Sequence, residues 1–141
     1  MNKKQKSLNN KGFSLVELII VIAIMAVLIG VLAPQYIGYV KKSRVSTDLQ
    51  NAESVATQIA VVLADKEAGT ATTKSVTENP AVWTEVTTTE VDAVPTSKVD
   101  KTNKFYYKVD NHTVHVAIGT SATAAEEVYP TRPASGDYKA D

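Results

Sequence analysis

The sequence predicts an α+β chain: one long N-terminal helix, apolar in its first half, whose amphipathic second half packs on a small antiparallel β-sheet. Three observations lead there. Leu18–Ala33 is an uncharged run of 16 residues dominated by Ile, Val, Leu, Ala and Met. Val45, Leu49, Ala52, Ala56, Ile59 and Leu63 then recur at alternating spacings of four and three, which draws one apolar stripe along a helix. Beyond Gly69 the composition turns to threonine and valine, residues that favour strands.

The apolar run comes first. As a helix its 16 residues span roughly 24 Å, and adding Phe13–Val16 and Tyr36–Val40 brings it near the hydrocarbon thickness of a bilayer. The striped continuation leads through Asp65, Lys66 and Glu67 to Gly69, a suitable C-terminal cap. From Phe13 to Ala68 an unbroken helix would reach roughly 84 Å. Its first half, greasy all round, is expected to protrude and pack with other chains, and its second half to pack on its own domain. Pro34 interrupts this helix, because it has no N–H for the carbonyl of Gly30 and its ring clashes there. Gly30 is itself a weak helix former, so a kink is expected at Gly30–Pro34.

In the distal part, residues 70–102 predict a connection with at most one short strand near Val82–Val86. Lys104–Val109 and His112–Ile118 predict a hairpin about Asp110-Asn111. Tyr107 then faces Val114 and Phe105 faces Val116, giving one apolar face to cover the helix stripe. The tail from Tyr129, with Pro130, Pro133 and Gly136, predicts loop.

Charge narrows the function classes. The chain is formally neutral, but residues 1–12 hold four lysines and no acid, whereas beyond Arg44 there are 8 basic and 14 acidic residues, a balance of −6. Such a distal part repels nucleic-acid phosphates, so no nucleic-acid partner is expected. There is no cysteine for a disulfide, a thiolate metal ligand or a nucleophile. His112 and His115 lack a cysteine or acid cluster to complete a metal shell. No nucleophile motif accompanies them. Asp137 and Asp141 lack the dense oxygen ligands of a calcium loop. No metal, no cofactor and no enzyme activity are expected.

What the N-terminal segment does has three readings. A secretory signal would be cut after Val31-Leu32-Ala33, but Pro34 follows at once. A plain membrane anchor leaves Glu17 unexplained, since a charged side chain in lipid costs about 2.5–3.5 kcal/mol at mid-bilayer and less near the interface. The third reading takes Glu17 with its neighbours. Lys11-Gly12-Phe13-Ser14-Leu15-Val16-Glu17-Leu18, behind a basic leader and before an apolar run, closely resembles the processing site of type IV pilin precursors.

That resemblance covers about residues 1–60 and implies a pilin fold and a structural role. A prepilin peptidase/methyltransferase would cut between Gly12 and Phe13 and methylate Phe13, which leaves Glu17 as the fifth residue of the mature chain. It divides the chain into a leader at 1–12, a transmembrane and filament-core helix at 13–40, its amphipathic continuation at 41–68 and a β-containing soluble head at 69–141. Before assembly the subunit would be a single-pass protein of the cytoplasmic membrane, in contact with lipid and an inner-membrane assembly platform. It would then join a homo-oligomeric helical filament at the cell surface, in which Glu17 meets the Phe13 amine of a neighbour and sets register. The Gly30–Pro34 stretch is where the family unwinds in filaments. The implied function is that of a major pilin serving adhesion, aggregation or surface motility. A pseudopilin of a secretion or DNA-uptake system, or a low-abundance tip subunit, would share the same N-terminus. A membrane-anchored enzyme or binding protein is the alternative of a different class.

Overall fold

The computed structural model describes Gly12 and residues 14–140. The architecture is α+β: one long helix, α1 (Leu15–Glu67), followed by β1 (Thr84–Glu85), β2 (Lys104–Asp110), β3 (Thr113–Gly119) and β4 (Glu126–Tyr129). The chain divides into two compact units, Met1–Tyr39 and Val40–Asp141. In the first, the described residues are Gly12, Ser14 and the apolar part of α1 to Tyr39. The second contains the remainder of α1 and the whole sheet.

Pro34 lies inside α1, and the helix runs without interruption through Gly30 and Pro34. The expected local weakness is therefore not an interruption in the single chain. Proline removes one hydrogen bond from a ladder of many, and the flanking turns hold their own. The helix ends where the chain requires it: Gly69 adopts φ 68, a left-handed conformation cheap only for glycine, and Thr70 N–H returns to the carbonyl of Asp65 at 2.9 Å.

Within the second unit the helix buries Val45, Ala52, Val55, Ala56, Ile59, Val62 and Leu63, with Leu49 partly covered. The sheet is antiparallel throughout, in the order β1-β2-β3-β4. Phe105, Tyr107 and Val109 of β2 and Val114, Val116 and Ile118 of β3 belong with the helix residues to one apolar core. The expected face is thus the observed one, but the pairing differs. Tyr107 lies opposite Val116 and Phe105 opposite Ile118, because the turn is Asn111-His112 rather than Asp110-Asn111. Both turn residues have positive φ, 46 and 63, as the tight turn matched to strand twist demands. Moving the turn by one residue moves each partner by two, so every side chain keeps its face.

β4 is a strand that the sequence does not predict, and it takes in Tyr129, the first residue of the tail expected to be loop. It pairs with β3 through an irregularity at Val116/Ala117 and buries Val128. Entry to β4 depends on Gly119, where a Cβ would come within 2.5 Å of the Ala125 α-carbon. Only a residue without a side chain lets the backbone double back there.

Candidate functional site

α1 begins with a reciprocal cap. Ser14 Oγ accepts from the Val16 N–H at 3.3 Å, and the Glu17 carboxylate reaches back to accept from the Ser14 N–H at 2.8 Å. A Ser-x-x-Glu sequence does this because the first N–H groups of a helix have no carbonyl partner and face outward with the positive end of the helix dipole. Glu17 is thereby held at the head of the apolar segment, exposed. Gly12 sits in an exposed bend with nothing within 4 Å of where a Cβ would stand. Phe13, expected at the cut and as the methylated residue, lies outside the described residues, as does the rest of the expected leader.

From Leu15 to Tyr39 the large apolar side chains face outward: Leu15 is 75% exposed, Ile24 54%, Val27 67% and Tyr39 71%. α1 is long and apolar enough to cross a membrane, and none of its most apolar stretch is buried within the chain. A continuous apolar surface of this size is not left in water; lipid or other chains must cover it. Gly30 and Gly38 likewise have open space around them. Packing inside the chain does not require glycine at either position. Gly30 and Pro34 sit one turn apart on this uncovered helix, about 20 Å along the axis from Glu17 at the nearer residue. These residues are arrayed along one segment and do not converge on a pocket.

The folded unit is fastened by a residue that the sequence reading passed over. Asp48 is completely buried. Its carboxylate accepts from Ser97 Oγ at 2.5 Å, the Lys98 N–H at 2.6 Å, the Val99 N–H at 3.3 Å and the Tyr138 hydroxyl at 2.9 Å. One helix side chain therefore holds both the long connection before β2 and the C-terminal tail. A signal was present, since Asp48 falls within the Val45–Ala52 part of the apolar stripe where a charge must find partners. Glu90 acts similarly at shorter range, accepting from the Thr87 N–H and hydroxyl at 2.8 Å each. Lys74 Nζ donates to the Thr88 and Val91 carbonyls at 2.9 Å.

Burial pushes the Tyr138 phenol up to about 12, with its hydrogen bond to Asp48 acting in the same direction. Burial also raises Tyr107. In both cases the folded state holds the proton more tightly than the unfolded chain. Their stabilisation is complete below about pH 10, the ordinary tyrosine value, and falls as pH rises above it, in the case of Tyr138 toward about 12. The contribution of these two tyrosines to the melting temperature should therefore be constant through neutral pH and fall above about 10. Tyr138→Phe should flatten part of that alkaline decline, measured by circular dichroism melts across the range.

The two histidines are placed apart. His112, in the hairpin turn, pairs with Glu67 at 2.7 Å, and His115 of β3 pairs with Glu127 at 2.7 Å. Asp137 pairs with Lys41 at 3.0 Å, while Asp141 lies outside the described residues. Among the described residues no three His, Cys, Asp or Glu side chains are grouped to hold a metal ion.

The segment that carries the exposed helix also carries the similarity to known proteins. Residues 7–33 match the family described as the prokaryotic N-terminal methylation motif. A type IV major fimbrial protein FimA of Dichelobacter nodosus is 42% identical over 60 residues, which is 42% of this chain and 38% of that protein. A second FimA from the same organism is 41% identical over 59 residues, again 42% of this chain and 38% of the relative. A third is 40% identical over 55 residues, 39% of this chain and 34% of the relative. The matched stretch thus spans less than two fifths of these relatives' length. No solved structure matches the chain.

Proposed function

We propose, from an N-terminal segment of the type IV prepilin class, that this chain is the structural subunit of a type IV pilus, its major pilin. The observation that carries the reading is the helix from Leu15 to Tyr39. It is apolar on all sides, uncovered within the chain and headed by a single capped carboxylate. A soluble protein would bury such a surface in its own core. A simple anchor has no use for Glu17. A subunit that waits in lipid and then packs helix against helix needs both features.

In this proposal a prepilin peptidase cuts between Gly12 and Phe13, and the new Phe13 amine is methylated and stays cationic. The four domains follow: leader 1–12, membrane and core helix 13–40, amphipathic continuation 41–68, and head 69–141. The mature chain is held in the cytoplasmic membrane, taken up by an inner-membrane assembly platform and delivered to a surface filament of identical subunits. There it serves adhesion, aggregation or motility. Gly30–Pro34 is helical in the single chain and unwinds on assembly, when neighbours take over the freed carbonyls.

The test is to shear and purify surface filaments from producing cells. This chain should be their main subunit, beginning at Phe13 with a methylated amine. Absence from the filaments, with the chain found only in the cell envelope, would contradict a major-pilin role.

A further inference from the structure

A cleft of about 500 Å³ opens beside α1 just beyond its apolar segment, lined by Arg44, Lys98 and Lys101 with the hydroxyl groups of Ser43, Thr47 and Thr96. We propose that this cleft holds the phosphate headgroup of an anionic phospholipid while the subunit resides in the membrane. The inference rests on the membrane-held subunit proposed above.

Arg44, Lys98 and Lys101 are exposed, and none of them takes part in a salt bridge among the described residues. This is unusual in a part of the chain where acids outnumber bases. The acid within the loop, Asp100, turns its carboxylate onto its own turn, where it accepts from the Thr102 N–H and hydroxyl at 2.8 Å each. The acid beneath the cleft, Asp48, is completely buried and already accepts four hydrogen bonds. Asp48 also fixes the geometry: by holding the Lys98 and Val99 N–H groups to the helix, it brings the loop bases alongside Arg44.

The place in the sequence is appropriate: Arg44 follows the end of the apolar run Leu18–Ala33 by 11 residues, where a chain that leaves the hydrocarbon reaches the headgroups. A row of bases at that level attracts anionic lipid, each contributing roughly a fivefold preference. The Ser43 and Thr96 hydroxyl groups beside them can donate to phosphate oxygens, whereas the Thr47 hydroxyl donates to the Ser43 carbonyl at 3.0 Å.

The experiment uses the full chain in phosphatidylcholine vesicles with increasing phosphatidylglycerol, and follows amide hydrogen exchange of residues 96–101. Exchange in this loop should slow as the anionic fraction rises. The Lys98→Gln/Lys101→Gln variant should lower the preference for anionic lipid by roughly 25-fold and so need correspondingly more of it for the same slowing. Exchange independent of phosphatidylglycerol would overturn the proposal. So would equal slowing by inorganic phosphate in vesicles of phosphatidylcholine alone, which would make this a free-phosphate site. Resistance to alkaline extraction is read in parallel. A chain that washes off the vesicles refutes the membrane-held subunit itself, whereas a retained chain with lipid-independent exchange refutes only the headgroup site.

Discussion

Glu17→Ala should abolish filament formation, lowering surface pilus yield on the order of a hundredfold or more, while cleavage after Gly12 continues at near-normal rate. Two functions of Glu17 have to be separated. In the single chain its carboxylate caps the helix by accepting from the Ser14 N–H, a contact whose loss costs roughly 1 kcal/mol. In a filament it would instead answer the Phe13 amine of a neighbour among apolar helices. Leaving a buried charge without its partner costs about 3–5 kcal/mol, a factor of hundreds or more in an association constant. Glu17→Gln distinguishes the two, because glutamine still serves in a capping box but carries no charge. If charge pairing sets register, Glu17→Gln should fail as Glu17→Ala does. If the cap alone matters, it should assemble. Immunoblots of sheared surface filaments against total processed subunit measure both quantities.

Asp48→Ala should be the most damaging single change in the folded unit. The substitution strips the acceptor from Ser97 Oγ, the Tyr138 hydroxyl and the N–H groups of Lys98 and Val99. Each buried donor left without an acceptor costs about 1–3 kcal/mol. Water entering the gap offsets part of this, so a net loss on the order of 4 kcal/mol is expected. Against a total stability of about 5–15 kcal/mol for a domain of this size, that is a large share. At about 4–8 °C per kcal/mol it lowers the melting temperature by roughly 20 °C. Asp48→Asn, which keeps one acceptor oxygen, should lose about half as much. Thermal melts followed by circular dichroism on the detergent-solubilised chain give both values. Exchange at residues 97–99 should accelerate first, since that loop loses its tether.

Much of the fold was legible because its signals are local. The stripe Val45 to Leu63 follows from the 3.6-residue period alone, and the hairpin face follows from the two-residue recurrence of Phe105, Tyr107 and Val109 and of Val114, Val116 and Ile118. The hairpin partner was not fixed by the same pattern. Alternation is unchanged when the pairing slips by two residues, and the choice fell to whether Asn111 and His112 would both accept positive φ. β4 escaped because Glu126 and Glu127 show no apolar alternation. Only Val128 of that strand is fully buried, and its place beside β3 depends on the backbone closing over Gly119. Asp48 is a different case. Its place within the apolar stripe signals burial, but its partners lie 49 to 90 residues away in sequence, so which groups it fastens is visible only after folding.

At the N-terminus the balance is reversed. The order lysine-rich start, Gly12-Phe13, Glu17 and apolar run is legible as chemistry in the sequence alone. The structure adds that Glu17 has a partner of its own in Ser14, and that the helix is continuous through Gly30 and Pro34. Assembly on this account is an exchange. Glu17 leaves its cap for a neighbour's amine, lipid leaves the apolar face for other helices, and the Gly30–Pro34 turns open once that face is covered.

A structure of the assembled filament at side-chain resolution tests this most directly. It should show residues 15–40 of successive subunits packed together along the axis, Glu17 within hydrogen-bond distance of a neighbouring Phe13 amine, and the chain unwound between Gly30 and Pro34. A filament held together through its head domains, with residues 15–40 facing solvent or lipid and Glu17 still bonded only to its own Ser14, would contradict it.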